Sequence, residues 1–240
     1  MAFEEGKQAS EDGQMLTAVA EQLRLLLLQV ARGSELALEH CEPELLRGLQ
    51  DSSQIGLRLV DHYLLGLKFY DGQQEFLLEP VSLSALLSEA AHELYPLARR
   101  YGTNLDVHIA GKFPPVMAHR EALKAALVSM GYGMIMGQIG GSDSRKPHLQ
   151  LTVHRTPRGI VSGIYGDTLL NETDWRRGRR LQGKARQPIT ALAPAAGAGI
   201  FVSDTLFSAM GTTLRTSKFA GQRGLVGTFQ VSQQLALVEL

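Results

Sequence analysis

Few side chains in this 240-residue chain are placed to do chemistry. It has seven histidines and a single cysteine. His40 and Cys41 are adjacent, but a metal site needs a second ligand pair and none follows, so they read as a turn between helices. His92, His108, His119, His148 and His154 show no ligand spacing. His62 stands apart, beside Asp61 and between Val60 and Tyr63 on an apolar-striped segment. An imidazole there is either a structural group or a nucleophile able to carry a phosphoryl group. Gly197-Ala198-Gly199 precedes an apolar helical pattern, and backbone amides at a helix start can cradle a phosphate. The pair lacks the strand-turn-helix context of a dinucleotide site. Arg176, Arg177, Arg179 and Arg180 open a basic run that continues with Lys184 and Arg186. Such a run meets a phosphate, an acidic partner, the negative face of the helical unit or only water. Trp175 is its one aromatic and no recognition motif accompanies it, so no nucleic-acid partner is expected.

Composition narrows the classes further. Hydrophobic residues are 44% and charged residues 20%, ordinary for a globular protein. The formal net charge is zero, but residues 1–72 carry 6 Lys/Arg against 12 Asp/Glu, and residues 73–240 carry 18 against 12. An acidic first unit followed by a basic second unit is expected. One cysteine permits no intramolecular disulfide and fits a reducing compartment. Residues 1–14 are polar and acidic, unlike a signal peptide, and Leu25–Val30 is too short to span a bilayer. The expectation is a cytoplasmic protein with no membrane partner.

These groups must be positioned by helices first and a sheet second. Residues 1–13 read as a frayed tail. Leu16, Val19, Leu23, Leu26 and Val30 then follow spacings of 3 and 4, a coiled-coil-type seam. Leu25, Leu27 and Leu28 widen it, so one partner helix would not cover the apolar surface. Pro43-Glu44 suits the first turn of a second helix, whose seam is Leu46, Leu49, Ser53, Gly56, Val60, Tyr63 and Leu67. The segment 14–72 is thus a helical hairpin, and two hairpins make a four-helix bundle, so a homodimer is expected. Residues 73–240 alternate helical and strand patterns. A helix is capped by Ser82 and another starts at Arg120. Strands centre on Leu105–Ile109, Leu149–Val153 and Ile160–Tyr165. Residues 168–196 read as a long loop, Ile200–Met210 as a short helix, and Thr213–Ser217 with Thr228–Ser232 as a hairpin across Gly221–Gly224. The fold class is α+β, with a mixed sheet covered by helices on one side.

That order of elements resembles the cytoplasmic core of sensor histidine kinases, from about residue 14 to 235. Leu59-Val60-Asp61-His62-Tyr63-Leu64-Leu65 is similar to the end of the family's dimerisation hairpin. Glu79-Pro80-Val81-Ser82-Leu83, Tyr95-Pro96-Leu97-Ala98 and Tyr101-Gly102 resemble the start of its ATP-binding domain, of the gyrase/chaperone/histidine-kinase type. Pro115-Val116 resembles the opening of the next helix. Gly197-Ala198-Gly199-Ile200 with Met210-Gly211 resembles its second glycine box.

The resemblance also places the chemistry, and here the residues depart from the family. Its phosphorylated histidine stands in a motif reading roughly Ser-His-Glu-Leu-Arg-x-Pro-Leu. Here Ala20, Glu21 and Gln22 replace the first three residues, Leu23, Arg24 and Leu27 match, and Leu26 replaces the proline. A carboxylate lacks the nitrogen that forms a phosphoramidate. Two family asparagines, the second a Mg²⁺ ligand, correspond to Ser129 and Gly133, and glycine has no ligand atom. Asp167 stands near the family's adenine-reading aspartate, without its glycines. Gly197 and Gly199 remain for a phosphate. Arg176, Arg177, Arg179 and Arg180 fall in the lid over ATP.

The implied function is a catalytically degenerate signalling module, dimeric, with no cofactor and with ATP and Mg²⁺ disfavoured. Its expected partner is a response-regulator receiver domain, docking near Glu21, Arg24 and Leu28. Two alternatives stay open. One is a histidine phosphotransferase or divergent kinase using His62. The other is an ATP-binding switch using Asp167, Gly197 and Gly199 without phosphotransfer.

Overall fold

The computed structural model describes residues 27–28, 30, 32–36, 43–70, 77–137, 146–166 and 194–231. The tail, the hairpin turn, the 168–193 part of the loop, and the seam positions Leu16, Val19, Leu23 and Leu26 lie outside the described residues. So do Glu21, Arg24, Asp167, Arg176, Arg177, Arg179 and Arg180. Of the first apolar segment, residues 32–36 are helical, Leu28 is exposed and Val30 is half-buried. Helix α1 spans Pro43–Tyr70. Gly33 of the preceding helical stretch lies against it, where an added Cβ would come within 2.7 Å of Leu49.

A five-stranded sheet follows. Strands β2 (Asn104–Ile109), β4 (His148–Thr156), β5 (Gly159–Gly166), β6 (Arg215–Phe219) and β7 (Gln222–Phe229) take the order β2-β4-β5-β7-β6. The β2–β4 pair is parallel and the other pairs are antiparallel, so the sheet is mixed. Strands β1 (Glu79–Val81) and β3 (Val116–Ala118) form a separate antiparallel pair. Helices α2 (Leu83–Arg100), α3 (Arg120–Gly137) and α4 (Pro194–Ala209) contribute to one core with the sheet's inner face. Period-2 alternation supplies that face: Leu149, Leu151 and Val153 from β4, with Ile160 and Ile164 from β5. Ser82 caps α2, its hydroxyl accepting from the Ala85 amide at 3.4 Å.

The sequence expectations need three corrections. The β1–β3 pair is not among the expected elements, because three-residue strands are too short to show alternation, and Val116 belongs to β3 rather than opening the helix, which starts at Arg120. The β6–β7 turn is Ala220-Gly221, with φ of 47° and 83°, rather than Gly221–Gly224. Gly224 and Gly227 lie inside β7, where a Cβ would strike Tyr165 and Phe207 respectively, so these glycines serve close packing instead of turning. Finally, α4 begins at Pro194, six residues before the predicted start. Proline suits the first helical position, where its missing N–H costs nothing.

Candidate functional site

Helix α3 is the centre of the site. Ala122 through Met136 are buried apart from Lys124, so the helix is packed on nearly all sides. Ala122, Ala125, Ala126, Ser129 and Gly133 keep much of its surface narrow and admit close neighbours. The His119 imidazole starts it, its Nδ1 accepting from the Ala122 amide at 3.2 Å.

On one side α3 meets α4. Gly199 sits so close that an added Cβ would collide with the Ser129 carbonyl oxygen, with Gly133 N at 3.0 Å and Gly133 Cα at 3.2 Å. The Ser203 hydroxyl bridges the two helices, contacting the Ala126 carbonyl at 2.6 Å and the Gly199 carbonyl at 2.8 Å. The Gly197–Gly199 pair therefore lies within α4, and Gly199 serves helix contact rather than a loop.

On the other side α3 meets α1 and α2. The Ser129 hydroxyl hydrogen-bonds His62 Nδ1 at 2.8 Å. Burial lowers the pKa of His62 from its ordinary 6.5, against the opposing pull of Glu93 and Asp61, with Arg58 and Lys124 adding to the lowering. The Glu93 carboxylate on α2 bridges Arg58 Nη1 on α1 and Lys124 Nζ on α3, each at 3.1 Å. Beneath lie Leu59, 4% exposed, and Tyr63, 8% exposed. An apolar cavity of about 50 Å³ is bordered by Leu59, Leu94, Leu97, Val128 and His62. A wider, open cavity of about 430 Å³ is lined by His62, Asp61, Lys68, Glu93, Glu121 and Lys124.

The structure thus joins residues that the sequence presented separately: His62 with Ser129, and Gly199 with Ser129 and Gly133. It adds Arg58, Glu93 and Lys124, which sequence reasoning missed. The α1 members had a signal, since Arg58, Asp61, His62 and Leu65 recur at helical spacing on one face. Glu93 and Lys124 had none, because their partner lies on a helix distant in sequence. Of the seam residues, Leu49 and Val60 are half-buried and Tyr63 is buried, while the side chain of Leu67 is outside the described set.

Gly133 offers no oxygen donor from a side chain. The Ser129 hydroxyl faces His62, and the α3 backbone at Ser129 and Gly133 is covered by Gly199. Among the described residues, no group of three His, Cys, Asp or Glu could hold a metal ion. No described helix is long and apolar enough to cross a membrane.

No family model and no curated protein sequence matches the chain. Solved structures do. The Acinetobacter baumannii histidine kinase AdeS superposes with a TM-score of 0.56 at 12% identity, over 88% of this chain and 97% of that one. Full-length ShkA, solved in complex with AMPPNP, gives 0.54 at 18% identity, over 92% of this chain and 46% of that one. Histidine kinase ThkA, solved in complex with the response regulator TrrA, gives 0.53 at 12% identity, over 95% and 64%. At these identities the likeness is one of fold, and the fold is that of a histidine-kinase core.

Proposed function

We propose that this chain is a signalling module of histidine-kinase fold that works by binding a partner, without ATP-dependent phosphotransfer. One observation carries the reading. Where the fold would present a magnesium ligand, α4 lies directly on the α3 backbone through Gly199, and Gly133 has no donor to offer. Glu21 in the phosphoacceptor position of the resemblance supports the same conclusion, since a carboxylate forms no phosphoramidate. The active form is a homodimer joined through a four-helix bundle. Leu27, Leu28, Leu57 and Leu64 support this: they are 66%, 44%, 65% and 48% exposed in one chain, an apolar surface that a second copy would cover. The partner is a receiver domain, by analogy with the ThkA complex, docking near Glu21, Arg24 and Leu28. Titration with labelled ATP and Mg²⁺ tests the loss of catalysis: no saturable binding and no incorporated label are expected. Saturable binding with acid-labile labelling would refute the proposal.

A second reading makes the chain a phosphorelay protein through His62. It is favoured by the open cavity of about 430 Å³, where Lys68 and Lys124 beside His62 would offset a phosphoryl charge. Incubation with a phosphorylated receiver domain distinguishes the two. Acid-labile label lost in His62→Ala and retained in Glu21→Ala would select the relay.

A further inference from the structure

We propose that the His62–Ser129 contact is a proton-operated latch that docks α1 onto α2, α3 and α4. The interface has an apolar part and a polar part. Gly56, Leu59, Tyr63 and Gly66 form the buried stripe of α1, at helical spacings of 3 and 4. The polar part comprises the His62–Ser129 bond, Glu93 between Arg58 and Lys124, and Arg100 donating to the Gly48 carbonyl at 3.2 Å. Only the imidazole among these ordinarily changes charge between pH 5 and 8.

Its surroundings decide the direction. From α1 it feels Asp61 and Arg58, from α2 Glu93, and from α3 Lys124, while Lys68 of α1 and Glu121 of α3 line the same open cavity. Asp204, the sole charged residue of α4, is not among the groups acting on it. Glu93 is already held by two cations and cannot fully neutralise an imidazolium. Burial is the largest influence, and it favours the neutral ring. The open cavity beside His62 admits water, so a proton can reach the ring while α1 is docked.

The docked ring therefore titrates below the ordinary 6.5, and an undocked, solvated ring near it. Docking is at full strength above that range. It weakens as pH falls through the undocked and then the docked value, because protonation favours the undocked form. Release of α1 would bare Leu59, Tyr63 and the Ser129 side of α3, a surface the docked form hides.

Hydrogen exchange by mass spectrometry on the full chain tests this at pH 7.5 and 5.5, after correction for the intrinsic pH dependence of exchange. Protection of residues 55–66 is expected to fall about threefold or more at the lower pH, relative to residues 86–90 of α2, where Leu86, Leu87 and Ala90 are buried. His62→Gln keeps a hydrogen-bonding side chain without a titrating one, and its protection relative to the same reference segment should not change with pH. Equal pH dependence in the two proteins, or none in the wild type, would overturn the latch. Should His62→Gln not fold, an NMR titration of the wild-type histidines decides instead. A His62 pKa below 6.5, with the Ser129 amide shifting in step, is expected; a value at or above 6.5 would overturn it.

Discussion

At the scale of single residues, Gly199 shows how one missing side chain fixes a helix contact. The Ser129 carbonyl and the Gly133 backbone occupy the space a Cβ would need. Backbone on both sides cannot rotate away as a side-chain end can. Gly199→Ala should therefore lower stability by about 1–3 kcal/mol, as for other overpacked cores. A urea titration measures it, and an unchanged midpoint would show that α3 and α4 are less tightly apposed. His154 offers a second test. It stacks on Phe219 with ring centroids 4.4 Å apart on the outer face of the sheet. Burial, then Arg215, then His108 lower its pKa from 6.5. Both His154 and His62 thus stabilise the fold in their neutral forms. That stabilisation is present above about pH 6.5 and is lost as pH falls through each depressed value. The urea midpoint of the wild type should be lower at pH 5.5 than at 7.5, and His154→Gln should reduce the difference.

At the scale of elements, α1 serves two surfaces. Its Gly56, Leu59, Tyr63 and Gly66 stripe docks on the α+β unit, while Leu57 and Leu64 point away from it. The sequence seam included Gly56 and Tyr63 but took Val60 where the buried residue is Leu59. Periodicity reveals that a helix has an apolar face, but α1 is apolar over more than one face. Which stripe meets which neighbour follows from the shape of that neighbour. The ionic bridge across this interface is partly solvated, with Arg58 at 48% and Lys124 at 40% side-chain exposure. Glu93→Gln should accordingly cost less than about 1 kcal/mol by chemical denaturation, most of the docking energy coming from Leu59 and Tyr63. A loss of several kcal/mol would mean that the bridge is far better shielded than its exposure indicates.

At the scale of the whole molecule, α1, from the acidic stretch 1–72, packs against helices of the basic stretch 73–240. Among the described residues, half of the large exposed apolar side chains, including Leu27, Leu28, Leu57 and Leu64, lie on α1 and the helical stretch before it. If they form the dimer seam, Leu57→Glu with Leu64→Glu should convert a dimer to a monomer in light scattering, with the far-ultraviolet signal of the α+β unit retained. A wild-type monomer at tens of micromolar would remove the bundle from the proposed function.

Among the described residues, the sequence by itself determined the kind and order of the longer elements, since the 3.6- and 2-residue apolar periods are local properties of the chain, but not the three-residue strands β1 and β3. It also determined what cannot be present: an imidazole at position 21 and a donor side chain at position 133. Helix starts were less legible, because Pro194 ends a loop as readily as it opens a helix. Only the tertiary structure decided that Ser129 turns its hydroxyl to His62, 67 residues away, and its carbonyl to Gly199. Those contacts depend on how closely two helices approach. That distance is set by which small residues of α3, α4 and α1 come face to face, and it leaves no periodic trace in any one segment.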